Sequence, residues 1–232
     1  MQRSLWKTAF RATVPVLTGY LVLGMGFGIL LRSNGFGGLW AVAMSLLIYA
    51  GSMQFLLVGL IAAHAPLLTV AVTALAVNAR HLFYGVSMLE RYRGAGRAKP
   101  YLIFALTDET YSLVCSVPES IPAAQRTGYC LRVTLLDHFY WVAGSAVGAL
   151  LGAVLPFSTE GIDFALTALF LTVFLEQWLS TKKHLPAIVG VAASLLCLLL
   201  LGTEKFLIPA MLLIALTLLL LRRQSGEEAE TE

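Results

Sequence analysis

The chain has 232 residues, of which 58% are hydrophobic and only 12% charged, with a mean hydropathy of +0.81. Soluble domains run nearer ~45–50% apolar and ~25% charged, and a chain this short has too little interior to hide the surplus from water. Composition therefore excludes a soluble enzyme, a disordered protein and a nucleic-acid-binding domain, and points to an integral membrane protein. The net charge of +3, from 16 Lys/Arg against 13 Asp/Glu, is too small and too scattered for a nucleic-acid surface. Its cations belong at the cytoplasmic ends of spans.

A membrane span needs ~20 apolar residues. In chain order, eight segments qualify, near 13–31, 39–63, 67–89, 101–117, 128–155, 163–180, 185–201 and 206–221. The fold class expected is all-α: a polytopic protein of about eight hydrophobic helical segments, some of them broken or re-entrant. Continuous apolar runs, rather than period-two alternation, exclude a β-barrel. Residues 1–223 are expected to form one transmembrane domain, and the acidic stretch 224–232 a disordered tail. Arg3, Lys7 and Arg11 before the first run resemble a signal peptide, but the run is too long for one and no small-x-small site follows, so it is expected to be a retained helix. Cys115, Cys130 and Cys197 are odd in number and lack ligand spacing, so they are expected to be buried thiols.

Eight crossings place both termini in the cytoplasm, where Arg3, Lys7, Arg11, Arg222 and Arg223 fit the positive-inside rule, together with Arg126, Lys182 and Lys183. The same count puts the most basic loop (Arg91, Arg93, Arg97, Lys99) outside. Breaking two of the segments within 39–117 moves that loop inside and leaves six crossings. Broken helices are tolerated at membrane depth where protein or a watery cavity surrounds them. A one-loop violation of the rule is the alternative.

The pattern Tyr20-x3-Gly24-x3-Gly28 recurs as Tyr140-x3-Gly144-x3-Gly148, hinting at a weak repeat of 11–117 in 128–221, an architecture common in transporters. Glycines spaced by four also let helices approach closely.

Polar side chains at membrane depth are expensive and usually functional. In Tyr49-Ala50-Gly51-Ser52-Met53-Gln54, small residues favour unwinding, and Ser52 and Gln54 can bind substrate; an interhelical hydrogen bond from Gln54 is the structural alternative. Within Asn78-Ala79-Arg80-His81-Leu82-Phe83-Tyr84, Arg80 stays charged and requires an acid, backbone carbonyls or a substrate anion. Asn78 and His81 share one helical face, Arg80 and Tyr84 another. In Thr107-Asp108-Glu109-Thr110-Tyr111, two adjacent carboxylates cannot both be charged cheaply, which suits proton uptake and release. One of them neutralising Arg80 is the structural alternative. Asp137 is expected to face a helix interface, and His138 to shuttle protons or simply make a structural hydrogen bond. No metal-binding or nucleophilic constellation is present, so no enzyme, metal or cofactor is expected.

Taken in order, these stretches resemble the AzlC family, the large subunit of bacterial branched-chain amino acid exporters. The resemblance rests on Gly24-x-Gly26-x-Gly28, Tyr49-Ala50-Gly51-Ser52-x-Gln54-Phe55, Asn78-Ala79-Arg80-His81-x-x-Tyr84 and Glu90-Arg91-Tyr92-Arg93. It continues through Lys99-Pro100-Tyr101, Thr107-Asp108-Glu109-Thr110, Asp137-x-x-x-Trp141-x-x-Gly144 and Gly161-x-Asp163-Phe164. It implies a secondary exporter of valine, leucine, isoleucine and sometimes methionine in the bacterial inner membrane, coupled to protons and assisted by a small AzlD-type membrane subunit. Substrate contacts are expected from Ser52, Gln54, Asn78, Arg80, Asp108, Glu109 and Tyr111, with Phe55 and Phe83 beside the aliphatic side chain. Proton coupling is expected from Asp108, Glu109, His81, Asp137 and His138. The rival readings are a passive small-solute channel and a non-catalytic assembly subunit.

Overall fold

In the computed structural model, residues 2–154, 184–202 and 206–229 are described, with isolated positions between 171 and 179. The segment at 163–180 therefore falls largely outside the described residues. So do the Gly161-x-Asp163-Phe164 motif and Lys182-Lys183. The described residues are all-helical, and they divide into two compact units, Met1–Thr167 and Ala168–Glu232.

The first unit holds α1 (Gln2–Ser33), α2 (Gly38–Leu47), α3 (Gly51–Ala62), α4 (Leu67–Met88), α5 (Lys99–Phe104), α6 (Asp108–Cys115) and α7 (Ala123–Val154). The second holds α8 (Leu185–Leu201) and α9 (Leu207–Ala229), which pack on each other; Ala193, Cys197 and Ala210 are buried there. Helix α9 continues past Arg222 and Arg223 to Ala229, where Glu227, Glu228 and Ala229 are good helix formers. Among the described residues, two helices, over Leu5–Ser33 and Leu67–Met88, are long and apolar enough to cross a membrane.

Helix ends follow local chemistry. Beyond α1, Gly35 takes φ +86°, while its N–H reaches Arg32 O at 3.0 Å and that of Phe36 reaches Leu31 O at 3.2 Å. This is the paired bonding of a Schellman cap. The end of α3 repeats it with a worse residue: His64 takes φ +49°, with its N–H on Ile61 O at 3.0 Å and that of Ala65 on Leu60 O at 2.9 Å.

The glycine pattern is a seam between α1 and α7. A Cβ on Gly24 would stand 3.0 Å from Ser145 N and Trp141 O, and one on Gly144 would stand 2.9 Å from Tyr20 O and Leu21 O. A Cβ on Gly28 or Gly148 would overlap the opposing backbone outright, at Ser145 and Ala149 or at Met25. The two copies of the Tyr-x3-Gly-x3-Gly pattern thus face one another, which accounts for their glycines.

Among the described residues, two of the segments are broken. The first splits into α2 and α3 at Ile48–Ala50, where Tyr49 takes φ +44°. The turn lies slightly ahead of the small residues that suggested unwinding. The Tyr49 ring, 3% exposed, stacks on His138 at 4.1 Å, so packing holds a backbone shape that a bulky residue disfavours. Gly51 lets the Trp141 ring lie against the break, since a Cβ there would sit 3.0 Å from the indole. The second segment splits into α5 and α6 at Ala105–Thr107. Thr107 caps α6 by accepting from Thr110 N at 3.2 Å, and Asp108 and Glu109 occupy the first turn, where the helix dipole favours negative charge.

Candidate functional site

Both breaks aim the start of a half-helix at α4. From there Arg80 pairs with Asp108 Oδ2 through Nη1 at 2.5 Å and donates from Nη2 to Ser52 Oγ at 3.0 Å. One guanidinium thereby ties the first turn of α3 to the first residue of α6. One turn along α4, Tyr84 donates to Asp108 Oδ1 at 2.6 Å, as the shared face of Arg80 and Tyr84 requires. Both charged side chains are 31% exposed, so the pair is within reach of a solute. Among the described residues it is the only ion pair between side chains.

The other residues singled out from the sequence divide by role. Tyr111 stacks on Tyr84 at 4.4 Å and accepts from Ser87 Oγ at 3.1 Å, bracing the Tyr84 hydroxyl. His81 lies beside Tyr84, with ring centroids 6.0 Å apart. Asn78 is half-buried, and its Oδ1 has no hydrogen-bond partner. Gln54 is fully buried and tied elsewhere: it accepts from Trp141 Nε1 at 2.9 Å and donates to Ser45 Oγ at 3.3 Å. Ser45 in turn donates to Ser145 Oγ at 2.8 Å. That network fastens α2 and α3 to α7, the structural alternative for Gln54. Phe55 packs edge-on against Phe27 in the core, while Phe83 is 74% exposed.

His138 is also bonded on both sides. Its Nε2 faces Ser45 O at 3.1 Å and its Nδ1 faces the Tyr101 hydroxyl at 3.0 Å. A carbonyl only accepts, so Nε2 carries a proton; a neutral ring then accepts from Tyr101 and is satisfied. Asp137 is fully buried at the helix interface, as its alignment with Trp141, Gly144 and Gly148 implies, and Oδ2 accepts from Thr110 Oγ1 at 2.8 Å.

Glu109 points away from Arg80. Its Oε2 accepts from Tyr20 Oη of α1 at 2.7 Å, and Tyr20 Oη also lies 2.5 Å from Thr107 Oγ1. Tyr20 was visible in the sequence only as part of a glycine pattern. Thr107 carried a readable signal, because Thr-Asp-Glu after an apolar stretch is a helix start. It marks the break more sharply than charge alone.

Comparison with known proteins bears on this arrangement. The family described as AzlC protein matches residues 15–155, which run from within α1 through α7 and include every site residue named above. The chain is 45% identical over 220 residues to the branched-chain amino acid transport protein AzlC of Bacillus subtilis, covering 94% of this chain and 85% of that one. It is 42% identical to a membrane protein of Haemophilus influenzae, covering 97% and 92%. It is 28% identical to the inner membrane protein YgaZ of Escherichia coli, covering 87% and 82%. No solved structure matches. Family match and relatives agree: the chain belongs to the AzlC family.

Proposed function

We propose that the chain is a multi-pass secondary transporter of the bacterial cytoplasmic membrane. It exports branched-chain and similar hydrophobic amino acids, couples that export to the proton gradient, and works with a small AzlD-type membrane subunit. The observation that carries this reading is the accessible Arg80–Asp108 pair at the meeting of two helix breaks, in a family that includes a branched-chain amino acid transport protein.

An amino acid at neutral pH is itself an ion pair. Its carboxylate fits the Arg80 guanidinium, which can hold it through two parallel N–H bonds, and its ammonium fits the Asp108 carboxylate. Binding exchanges one internal ion pair for two intermolecular ones and leaves no charge unpaired, so the cost of exposing a lone charge in a low-dielectric site is avoided. Ser52 keeps the guanidinium in place when Asp108 turns to the ligand, and Tyr84 orients the carboxylate. An apolar side-chain pocket separates substrates differing by one methylene by only ~1–3 kcal/mol, so valine, leucine and isoleucine overlap as substrates.

Short half-helices fit such a role. At about 1.5 Å per residue, α5 and α6 are roughly 9 and 12 Å long, and neither crosses a ~30 Å hydrocarbon core by itself. Placing a break at membrane depth supports the topology that keeps the basic loop 90–99 in the cytoplasm.

The test is valine efflux from loaded cells carrying the chain with and without its partner subunit. Uphill efflux that collapses with a protonophore, and is lost in Arg80→Ala and Asp108→Asn, is expected. Full efflux in Asp108→Asn refutes the ammonium role, and downhill-only flux insensitive to protonophore favours a channel.

A further inference from the structure

Between Glu109 and Asp137 the hydroxyls of Tyr20, Thr107 and Thr110 form an unbroken chain. The links are Glu109 Oε2 to Tyr20 Oη at 2.7 Å, Tyr20 Oη to Thr107 Oγ1 at 2.5 Å, Thr107 Oγ1 to Thr110 Oγ1 at 3.1 Å, and Thr110 Oγ1 to Asp137 Oδ2 at 2.8 Å. Four links need four protons, and three hydroxyls supply three, since each carries one donor. The fourth must sit on one of the two carboxyl groups. With both ionised, two adjacent oxygens of the chain would face each other without a proton between them.

We infer that Glu109 and Asp137 share a single proton, passed along Tyr20, Thr107 and Thr110. With the proton on Glu109, its O–H donates to Tyr20, Tyr20 to Thr107, Thr107 to Thr110, and Thr110 to Asp137. With the proton on Asp137, every donor reverses. A concerted shift carries one proton from one acid to the other and leaves each hydroxyl with the single proton it began with. Thr107 Oγ1 suits the relay, because it also accepts the Thr110 N–H and so uses both lone pairs and its proton.

The surroundings favour sharing. Glu109 is an exposed residue whose carboxylate is drawn inward against Tyr20, while Tyr20, Thr107, Thr110 and Asp137 are each buried, with exposures of 4%, 8%, 0% and 0%, so the relay leads inward from a residue at the surface. Asp108 adjoins Glu109 on its own helix, and Tyr49, Tyr101, Tyr129 and Tyr140 lie within electrostatic reach of Asp137. His138 beside it is satisfied as a neutral ring, and neither acid forms an ion pair among the described residues. Asp137 Oδ1 has no hydrogen-bond partner, an arrangement a neutral acid tolerates better than an anion.

The use of this proton in coupling rests on the transport reading; the shared proton itself does not. Infrared spectra of the purified chain in lipid nanodiscs at neutral pH, with Glu or Asp isotope-labelled, are expected to show a protonated-carboxyl C=O band. In the wild type, Glu labelling and Asp labelling are each expected to shift part of that band, and the band is expected to vanish in the double variant Glu109→Gln/Asp137→Asn. A wild-type spectrum without the band, or a band that survives the double substitution, overturns the inference. In proteoliposomes, Thr110→Val is expected to lose valine accumulation driven by a pH gradient while keeping valine–valine exchange at equal pH, and Thr110→Ser to restore accumulation. Gradient-driven accumulation by Thr110→Val at the wild-type rate overturns the relay. Absence of exchange in the wild type reconstituted with its partner subunit refutes the transport reading instead, and the infrared result then decides the shared proton independently. Should Thr110→Val fail to fold, the band's behaviour in Thr107→Ser against Thr107→Val decides: retention in the first and loss of sharing in the second support the relay, and no difference overturns it.

Discussion

Replacing Gly148 with alanine tests the seam that organises the first unit. The added methyl would overlap the backbone of Met25, and a backbone atom cannot swing aside as a side-chain tip can. The helices must separate or bend, and overpacking of this kind typically costs ~1–3 kcal/mol, occasionally more. Gly19 of α1 supplies the control, because a Cβ there meets nothing within 4 Å. With no clash, Gly→Ala in a helix interior is worth about 0.4–1 kcal/mol of added stability. The two substitutions are therefore expected to shift thermal unfolding of the detergent-purified chain in opposite directions, Gly148→Ala downward and Gly19→Ala slightly upward. Gly28→Ala should behave as Gly148→Ala does, since its methyl would meet Ser145 and Ala149. Because both methyls force the same separation, the Gly28→Ala/Gly148→Ala pair should cost less than the sum of the single changes. Equal shifts for Gly148→Ala and Gly19→Ala, or strict additivity of the pair, would refute the seam as the tight contact.

Three other substitutions probe the remaining contacts. Gln54→Leu strands the Trp141 indole N–H, and leaving a buried donor unmade costs about 1–3 kcal/mol; a lower Tm is expected, with Gln54→Glu recovering part of it by again accepting from the indole. His64→Gly keeps the left-handed turn but removes the roughly 1–2 kcal/mol that a Cβ costs there, so a small rise in Tm is expected from an exposed site that is not among the proposed transport residues. His138→Ala breaks the bonds to Ser45 and Tyr101 and is expected to lower Tm while the ratio of proton to valine flux stays unchanged. A changed ratio would return His138 to the proton path.

Much of the helical plan is legible in the apolar runs, because membrane thickness fixes the length of a segment whatever its neighbours do. Seven of the eight segments correspond to α1, α2 with α3, α4, α5 with α6, α7, α8 and α9, and the eighth, at 163–180, lies largely outside the described residues. Arg80 could be singled out for the same reason: an arginine among Asn78, Ala79 and Leu82 must find an anion. Its pairing with Asp108 rather than Glu109 was not readable, because adjacent residues on a helix differ by about 100° in direction, and only the placement of α6 against α4 decides between them. The role of Gln54 was equally hidden. A glutamine in an apolar helix announces that it needs partners, but Ser45 and Trp141 lie 9 and 87 positions away. Tyr20 was missed because a tyrosine in an apolar run is ordinary, and its significance comes from the acid that a distant half-helix brings to it.

The α1–α7 seam also constrains motion. Where two backbones touch without intervening side chains, there is no layer of rotamers to slide or repack, so the pair moves as one body or not at all. Alternating access in such a protein has to come from parts joined less closely, and the first unit has two: the turns at Ile48–Ala50 and Ala105–Thr107. On this view the glycines act as the stator of the machine. They hold α1 and α7 still, so that the half-helices carrying Ser52 and Asp108, tied to that frame through exchangeable hydrogen bonds such as those of Gln54 and Thr110, pivot against it when those bonds are remade.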